Sequence, residues 1–352
     1  MASFLQKKLE QSWYGDSSWT YLLFPIAGLF QFLSLVRKKK QQSQAQINSE
    51  VPVIVIGNIA VGGTGKTPLI IALAMECIRR GLKPGIISRG YGSAAPYYPF
   101  SVNENSTSLE TGDEPLLIAK KTHSPVVIDS DRNAALKHIL NENQCDLVLS
   151  DDGLQHYKLA RQLEIAVIDG SRGVGNGFCL PVGPLRESPH RLQTVDCVVV
   201  NGPLQKTKCI PEKYFSMTLK SQLWRRVIDD VERELQVLST LEKVHAVTGI
   251  GNPKRFFSSL RESNVELNEH VFPDHHQFAL ADINFSDELP VVMTAKDAVK
   301  CRSLLRECDW SEKRKQAFWY LPIEAQLPES FYDSVFSKIN APLKNHQTET
   351  QV

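Results

Sequence analysis

Between residues 51 and 81 the chain passes from an apolar β-branched run, through a glycine-rich stretch, into an amphipathic segment. Val51-Pro-Val-Ile-Val-Ile56 reads as a buried parallel strand. Gly57-Asn-Ile-Ala-Val-Gly62-Gly63-Thr64-Gly65-Lys66-Thr67-Pro68 follows, then a helical pattern from Leu69 to Arg80 that Gly81 closes. Strand, glycine loop and helix meeting at Gly-Lys-Thr is the arrangement that cradles phosphates. Glycines let successive backbone N–H groups face phosphate oxygens, and the helix N-terminus adds its partial positive charge. Ala60, Val61, Gly62, Gly63, Thr64, Gly65, Lys66 and Thr67 are therefore the candidate nucleotide-binding residues. Lys66 would reach the β- and γ-phosphates, and the Thr67 hydroxyl would ligate Mg2+. The strict pattern G-x-x-x-x-G-K-[ST] asks for glycine at position 60, where this chain has Ala60.

Further short apolar runs follow: Gly85–Ser88, Pro125–Ile128, Asp146–Leu149, Ile165–Ile168 and Asp196–Val200. Their alternation with helical segments predicts an α/β fold, a P-loop NTPase-like parallel sheet with helices on both faces. Ligands of such sheets sit beyond the carboxyl ends of the strands. Polar clusters fall at those ends: Ser88-Arg89-Gly90-Tyr91-Gly92, Asp129-Ser-Asp131-Arg132 and Ser150-Asp151-Asp152-Gly153. From Lys206 the composition turns polar, and Tyr214–Thr218 suggests a stranded hinge. Val244–Pro253 restarts an α/β pattern, with Gly249 and Gly251 read as a tight strand-to-helix turn. The expected domains are 1–45, an N-terminal interfacial helix and linker; 46–205, the phosphate-loop domain; 206–240, the hinge; and 241–340, a smaller α/β domain, with a frayed tail from about Asn340.

At 352 residues, 42% hydrophobic and 22% charged, the chain suits a folded globular protein and not a disordered or multi-span one. Forty Lys and Arg against 39 Asp and Glu give no support for binding nucleic acid by bulk charge. The seven cysteines form no C-x-x-C pair and read as reduced thiols.

From Trp19 to Val36, 13 of 18 residues are apolar, and Arg37-Lys38-Lys39-Lys40 follows at once. A basic run after the apolar stretch does not fit a secretory signal. At helical spacing Leu22, Ile26, Leu29, Phe30, Leu33 and Val36 share one face, with Thr20, Gln31, Ser34 and Lys38 on a narrower polar stripe. Together with Trp13, Tyr14, Trp19 and Tyr21, this pattern predicts a helix lying in a bilayer interface against anionic lipid. The polar stretch Gln41–Glu50 reads as a short linker.

Asp146-Leu-Val-Leu-Ser-Asp151-Asp152 has the form of a strand ending in Mg2+-binding carboxylates, with Asp151 and Asp152 both open as the ligand. Gly112-Asp113-Glu114-Pro115 precedes a helix, where its carboxylates could simply favour the helix N-terminus. There is no H-R-D-L-x-x-x-N or D-F-G motif, and Thr294-Ala-Lys-Asp297 is only a near miss to the guanine-reading N-K-x-D, so ATP is favoured.

These segments converge on a family. GNIAVGGTGKTP, SRGYG at Ser88, GDEP at Gly112, SDDGLQH from Ser150, LPVGPLRE from Leu180, DHHQF at Asp274 and TAKDAVK from Thr294 resemble tetraacyldisaccharide 4'-kinase, the lipid A 4'-kinase of Gram-negative bacteria. The resemblance runs in order from about residue 10 to about residue 325. It implies two α/β domains joined by a hinge, with the active site between them. It implies ATP-dependent phosphorylation of the 4'-hydroxyl of tetraacyldisaccharide 1-phosphate, giving lipid IVA at the cytoplasmic face of the inner membrane, with the N-terminal helix as a peripheral anchor.

By the same resemblance, Lys66 and Thr67 are phosphate-loop residues, Asp113 is the catalytic base, and Glu114, Asp151 and Asp152 are Mg2+-site carboxylates. His275, or its neighbour His276, pairs with the base. Ala295 stands where the family commonly has glutamate, so no polar role is carried over there. On this reading the Asp113–His275 pair forms only when two domains close. Arg89 and Arg186 are further candidates for phosphate, since arginine grips it in a bidentate fork. Gln155 and His156 either face the acceptor or pack at a helix N-terminus. Neither nucleic acid nor an obligate protein partner is expected. The competing reading is a P-loop nucleotide switch or metallochaperone-like NTPase, which would need no base for a sugar hydroxyl.

Overall fold

The computed structural model describes residues 2–15, 17–44, 51–103, 105–205, 209–221, 223–234, 243–261 and 265–348, with side chains from 8 to 339. The chain falls into two units, one of residues 1–89, 124–219 and 325–352, the other of residues 90–123 and 220–324. Sequence reasoning expected contiguous domains, and the structure departs from that twice. Segment 90–123 belongs with the second unit because its helix Asp113–Thr122 packs on helix Ala295–Glu307. The C-terminal helix Glu329–Thr348 returns to the first unit and packs on strand Leu163–Asp169. That helix runs on through Thr348.

In the first unit the strands lie in the order Phe215–Lys220, Cys197–Asn201, Leu163–Asp169, Val53–Gly57, Leu147–Asp151, Pro84–Ser88 and Val126–Ile128, each parallel to its neighbours. Every residue of Val53–Gly57 is buried, as its unbroken apolar run demands of a central parallel strand. From this strand the chain crosses to Pro84–Ser88 on one side, and from Val126–Ile128 it comes back to Leu147–Asp151. Right-handed crossovers in opposite directions put helices Lys66–Arg79 and Arg132–Glu142 on opposite faces. The strand expected within the hinge, Phe215–Lys220, instead pairs with Cys197–Asn201 and so extends this sheet. Hinge residues 206–208, 222 and 235–240 lie outside the described residues, as do linker residues 45–50.

The second unit holds a sheet in the order Glu232–Glu234, Leu223–Arg226, Phe318–Leu321, Val291–Thr294, Lys243–Thr248 and Glu266–Val271. The last four are parallel and the first two antiparallel. Phe256, Phe257 and Leu260 cover one part of its core, while Phe278, Ile283 and Leu305 lie in another. Gly249 and Gly251 occupy the turn from Lys243–Thr248 into helix Pro253–Arg261, as expected.

All seven cysteines are free thiols. The N-terminal helix Phe24–Gln42 takes in the first two residues of the expected linker. Of the polar stripe, Thr20 is buried and Ser34 and Lys38 are half-buried, while Gln31 is exposed; Ala27, outside that stripe, is buried too. Phe30 is half-buried too, on the inner side and apart from the apolar face assigned to it. Leu22, Ile26, Leu29, Phe32, Leu33, Leu35 and Val36 are exposed. Phe178 packs edge-on to Phe24, with centroids 5.0 Å apart, while Lys38 lies 4.6 Å over the Tyr157 ring. The helix is thus tied to its own unit near both ends, across 14 residues or about 21 Å of rise. Among the described residues, Trp19–Gln42 is the one stretch long and apolar enough to cross a membrane.

Candidate active site

In the first unit the phosphate loop leaves strand Val53–Gly57 and enters helix Lys66–Arg79, with Gly62 at φ 101° and Gly65 at φ 98°. Gly65 has no room for a side chain, since a Cβ there would come within 2.4 Å of Asn201 Nδ2. That amide donates to the Thr64 carbonyl at 3.0 Å and props the loop from the end of strand Cys197–Asn201, two places along the sheet from the loop strand. Ala60 pairs with Leu185 in a β-bridge, the Val61 N–H donates to the Pro184 carbonyl at 2.9 Å, and the Arg186 N–H donates to the Ile59 carbonyl at 2.6 Å. An extended residue in a bridge needs no left-handed φ, which is the physical reason alanine serves at position 60. Thr64 Oγ1 is buried with no hydrogen-bond partner among the described residues, a donor and acceptor fit for a phosphate oxygen.

Strand Leu147–Asp151 adjoins the loop strand, with Asp151 level with Ile56. Lys66 Nζ stands 3.4 Å from Asp152 Oδ1, and Arg186 Nη1 stands 3.0 Å from Asp152 Oδ2. Burial disfavours charge on Asp152, yet Lys66 and Arg186 outweigh it and hold the carboxyl well below the usual range. Asp151 is 2% exposed and accepts from Ser88 Oγ at 3.0 Å, while its carbonyl accepts from Arg132 Nη2 at 3.0 Å. His156 is driven down to about 4 by burial and by the charges of Arg132 and Arg89, so it is neutral at pH 7. Gln155 Nε2 donates to the Asn58 carbonyl at 3.1 Å and to Glu187 Oε1 at 2.7 Å. Glu187 also accepts from the Tyr157 hydroxyl and faces Lys38 of the N-terminal helix at 3.9 Å.

Thr67, Asp151 and Asp152 offer the hard oxygen ligands that Mg2+ prefers. No group of three or more His, Cys, Asp or Glu among the described residues could hold a metal alone. The expected fourth ligand, Glu114, belongs to the second unit, where it forms an ion pair with Lys296.

The second unit gathers the other set. Asp113 opens helix Asp113–Thr122, is 6% exposed, and places Oδ1 3.1 Å from His275 Nδ1. His276 turns away to Asp282 at 3.0 Å, so His275 is the one that meets Asp113. The Asp113–His275 pair therefore lies inside one unit, and forming it needs no domain closure as sequence reasoning supposed. His275 sits at φ 59°, a strained position for a residue with a Cβ, and its ring lies 5.1 Å from that of Tyr91. Burial pushes the Asp113 carboxyl upward, but the His275 hydrogen bond and the charges of Lys296 and Lys300 overcome it, leaving the group ionised. The same bond, against the opposing effect of burial, raises the His275 pKa above its ordinary value.

Sequence reasoning passed over several residues here. Arg132 and Asn201 close strand ends, and Arg132 stood in a polar cluster already noted. Lys296 and Lys300 lie one helical turn apart in TAKDAVK, a spacing that puts both on one helix face.

A family model described as Tetraacyldisaccharide-1-P 4'-kinase (LpxK) matches residues 19–340. A relative from Hahella chejuensis, named Tetraacyldisaccharide 4'-kinase, is 43% identical over 97% of this chain and 98% of its own. Another with that name, from Legionella pneumophila (strain Lens), is 42% identical over 92% and 95%. The crystal structure of LpxK from Aquifex aeolicus in complex with ATP has a TM-score of 0.72 at 24% identity, covering 91% of this chain and 99% of its own, a likeness of fold. With its family motifs in order along the sequence and this match over most of its length, the chain belongs to the Tetraacyldisaccharide-1-P 4'-kinase family.

Proposed function

We propose that Asp113 and His275 form the base of an ATP-dependent phosphoryl transfer to the 4'-hydroxyl of tetraacyldisaccharide 1-phosphate, with lipid IVA and ADP as products. Membership of the family makes the chain a kinase of lipid A biosynthesis, and a nucleotide-hydrolysing switch is not favoured. One observation carries the assignment of the base: a buried carboxylate held ionised against a histidine at 3.1 Å. A P-loop alone serves hydrolases as well as kinases, whereas a fixed base is what an acceptor hydroxyl requires.

As the hydroxyl oxygen bonds to the γ-phosphorus, its proton passes to Asp113 and the bond from phosphorus to the β-bridging oxygen breaks. His275, hydrogen-bonded to Asp113, orients the carboxylate and shares its charge. Lys66 offsets charge on the β- and γ-phosphates, and loop N–H groups orient them. Mg2+ held by Thr67 and by Asp151 or Asp152 would neutralise phosphate charge. Arg89, Arg132 and Arg186 supply further cations for phosphate groups of the nucleotide or acceptor. The helix Phe24–Gln42 seats the protein peripherally on the cytoplasmic face of the inner membrane. Its anchorage near both ends favours lying in the interface over spanning it, with the exposed apolar residues toward the lipid.

The test is transfer of label from γ-labelled ATP to tetraacyldisaccharide 1-phosphate in detergent micelles. Label should enter the lipid and fall by at least about 100-fold in Asp113→Ala. Release of label only as free phosphate, independent of lipid, would overturn the proposal.

A further inference from the structure

We propose that Lys300 and Asp297 are positioning residues for Asp113, an inference that rests on the reading of Asp113 as the base. A carboxylate that takes a proton during phosphoryl transfer must hold one lone pair in a fixed direction. Both oxygens of Asp113 are held. Oδ1 meets His275 Nδ1 and the Glu114 N–H, each at 3.1 Å, while Oδ2 faces Lys300 Nζ at 3.5 Å.

The lysine is itself fixed. Its side chain is 2% exposed, and an ammonium has three donors to place. Two are taken by Asp297 Oδ1 at 3.3 Å and the His276 carbonyl at 3.2 Å, and Asp113 Oδ2 lies within ion-pair distance of the same nitrogen. Asp297, with no exposure, is gripped in turn at Oδ2 by Thr294 Oγ1 at 2.6 Å, the Gly249 N–H at 3.2 Å and Thr248 Oγ1 at 3.3 Å. Those three groups stand at the ends of two paired parallel strands, so the anchor is tied to the sheet. The carbonyl that Lys300 binds belongs to the residue after His275, and the same ammonium therefore steadies both members of the pair.

A second match sets the register. Asp113 and Glu114 are consecutive, and Lys300 and Lys296 are one turn apart on the facing helix. Each acid takes one lysine, which holds the first turn of Asp113–Thr122 at a single azimuth. A buried ion pair is by itself weak evidence for stability, since well-packed apolar residues often serve as well or better. Here the arrangement orders a reacting carboxylate, and that purpose explains retaining three buried charges.

The test compares Lys300→Met and Asp297→Asn with the wild type in the labelled-ATP assay, each after a thermal melt. Lys300→Met should lower kcat by about 10- to 100-fold while KM for ATP and for lipid moves less than about threefold. Asp297→Asn, which keeps its shape but releases the ammonium, should lower kcat in the same direction, and it carries the test if Lys300→Met fails to melt cooperatively. Lys300→Met made in an Asp113→Ala background should cost nothing further, because a positioning residue has nothing left to position. An equal loss in both backgrounds, or an unchanged kcat in Lys300→Met and Asp297→Asn, would overturn the positioning role and leave Asp113 in place. Full activity in Asp113→Ala would instead remove the base reading and this inference with it.

Discussion

Replacing Leu29, Phe32 and Leu33 together by serine should detach the protein from lipid without unfolding it. The three side chains are 60%, 62% and 56% exposed, so the fold gains little from them. Full transfer of such a side chain from water to an apolar phase is worth about 1.5–3 kcal/mol, and three-fifths of that leaves about 1–2 kcal/mol each. Together the three contribute about 3–5 kcal/mol of membrane affinity, a loss of roughly 10²–10⁴ in partition coefficient. Arg37, Lys39 and Lys40 add about 1 kcal/mol each near an anionic surface, a contribution that salt would screen. The assay is cosedimentation with vesicles of three parts zwitterionic to one part anionic phospholipid, at two salt concentrations. A melting curve controls for folding, since exposed substitutions usually move stability by no more than about 0.5 kcal/mol. A triple variant that sediments like the wild type, or a wild type that stays in solution, would refute the reasoning.

Two further outcomes follow from the site. Gly65→Ala must adopt a left-handed backbone and displace the Asn201 amide, which is 2.4 Å from the new Cβ; the strain of about 1–2 kcal/mol should weaken ATP binding roughly tenfold or more, read by calorimetry. The His275 pKa is raised by Asp113, so its contribution to stability is full below the unfolded value of about 6.5 and fades as pH rises through the folded value. Denaturant melts should therefore separate wild type from His275→Ala more at pH 5.5 than at pH 9.5, and a gap that widens with pH would contradict the pairing.

Much of the first unit was legible because its signals are local. A β-branched run, glycines at a turn and an amphipathic helix each follow from a few adjacent residues, and Val53–Gly57 to Lys66–Arg79 appears where the pattern put it. The apolar segment after Trp19 was likewise readable. Which side of that helix meets protein was partly legible in its narrow polar stripe, apart from Gln31, which is exposed, and Phe30, which turned inward.

Tertiary structure decided what depends on groups far apart in the chain. Segment 90–123 reads as a continuation of the first domain until its helix is seen packed on Ala295–Glu307. Spacing alone could not choose between His275 and His276; the turn at φ 59° aims one at Asp113 and leaves the other with Asp282. Neither could it show that Glu114 is matched to Lys296, or that Asp297 is wholly buried beneath Lys300. Local sequence sets backbone conformation through sterics and hydrogen bonding over a few residues. The state of a carboxylate is set instead by burial and by charges within a few ångströms, and those neighbours are chosen only when the chain folds.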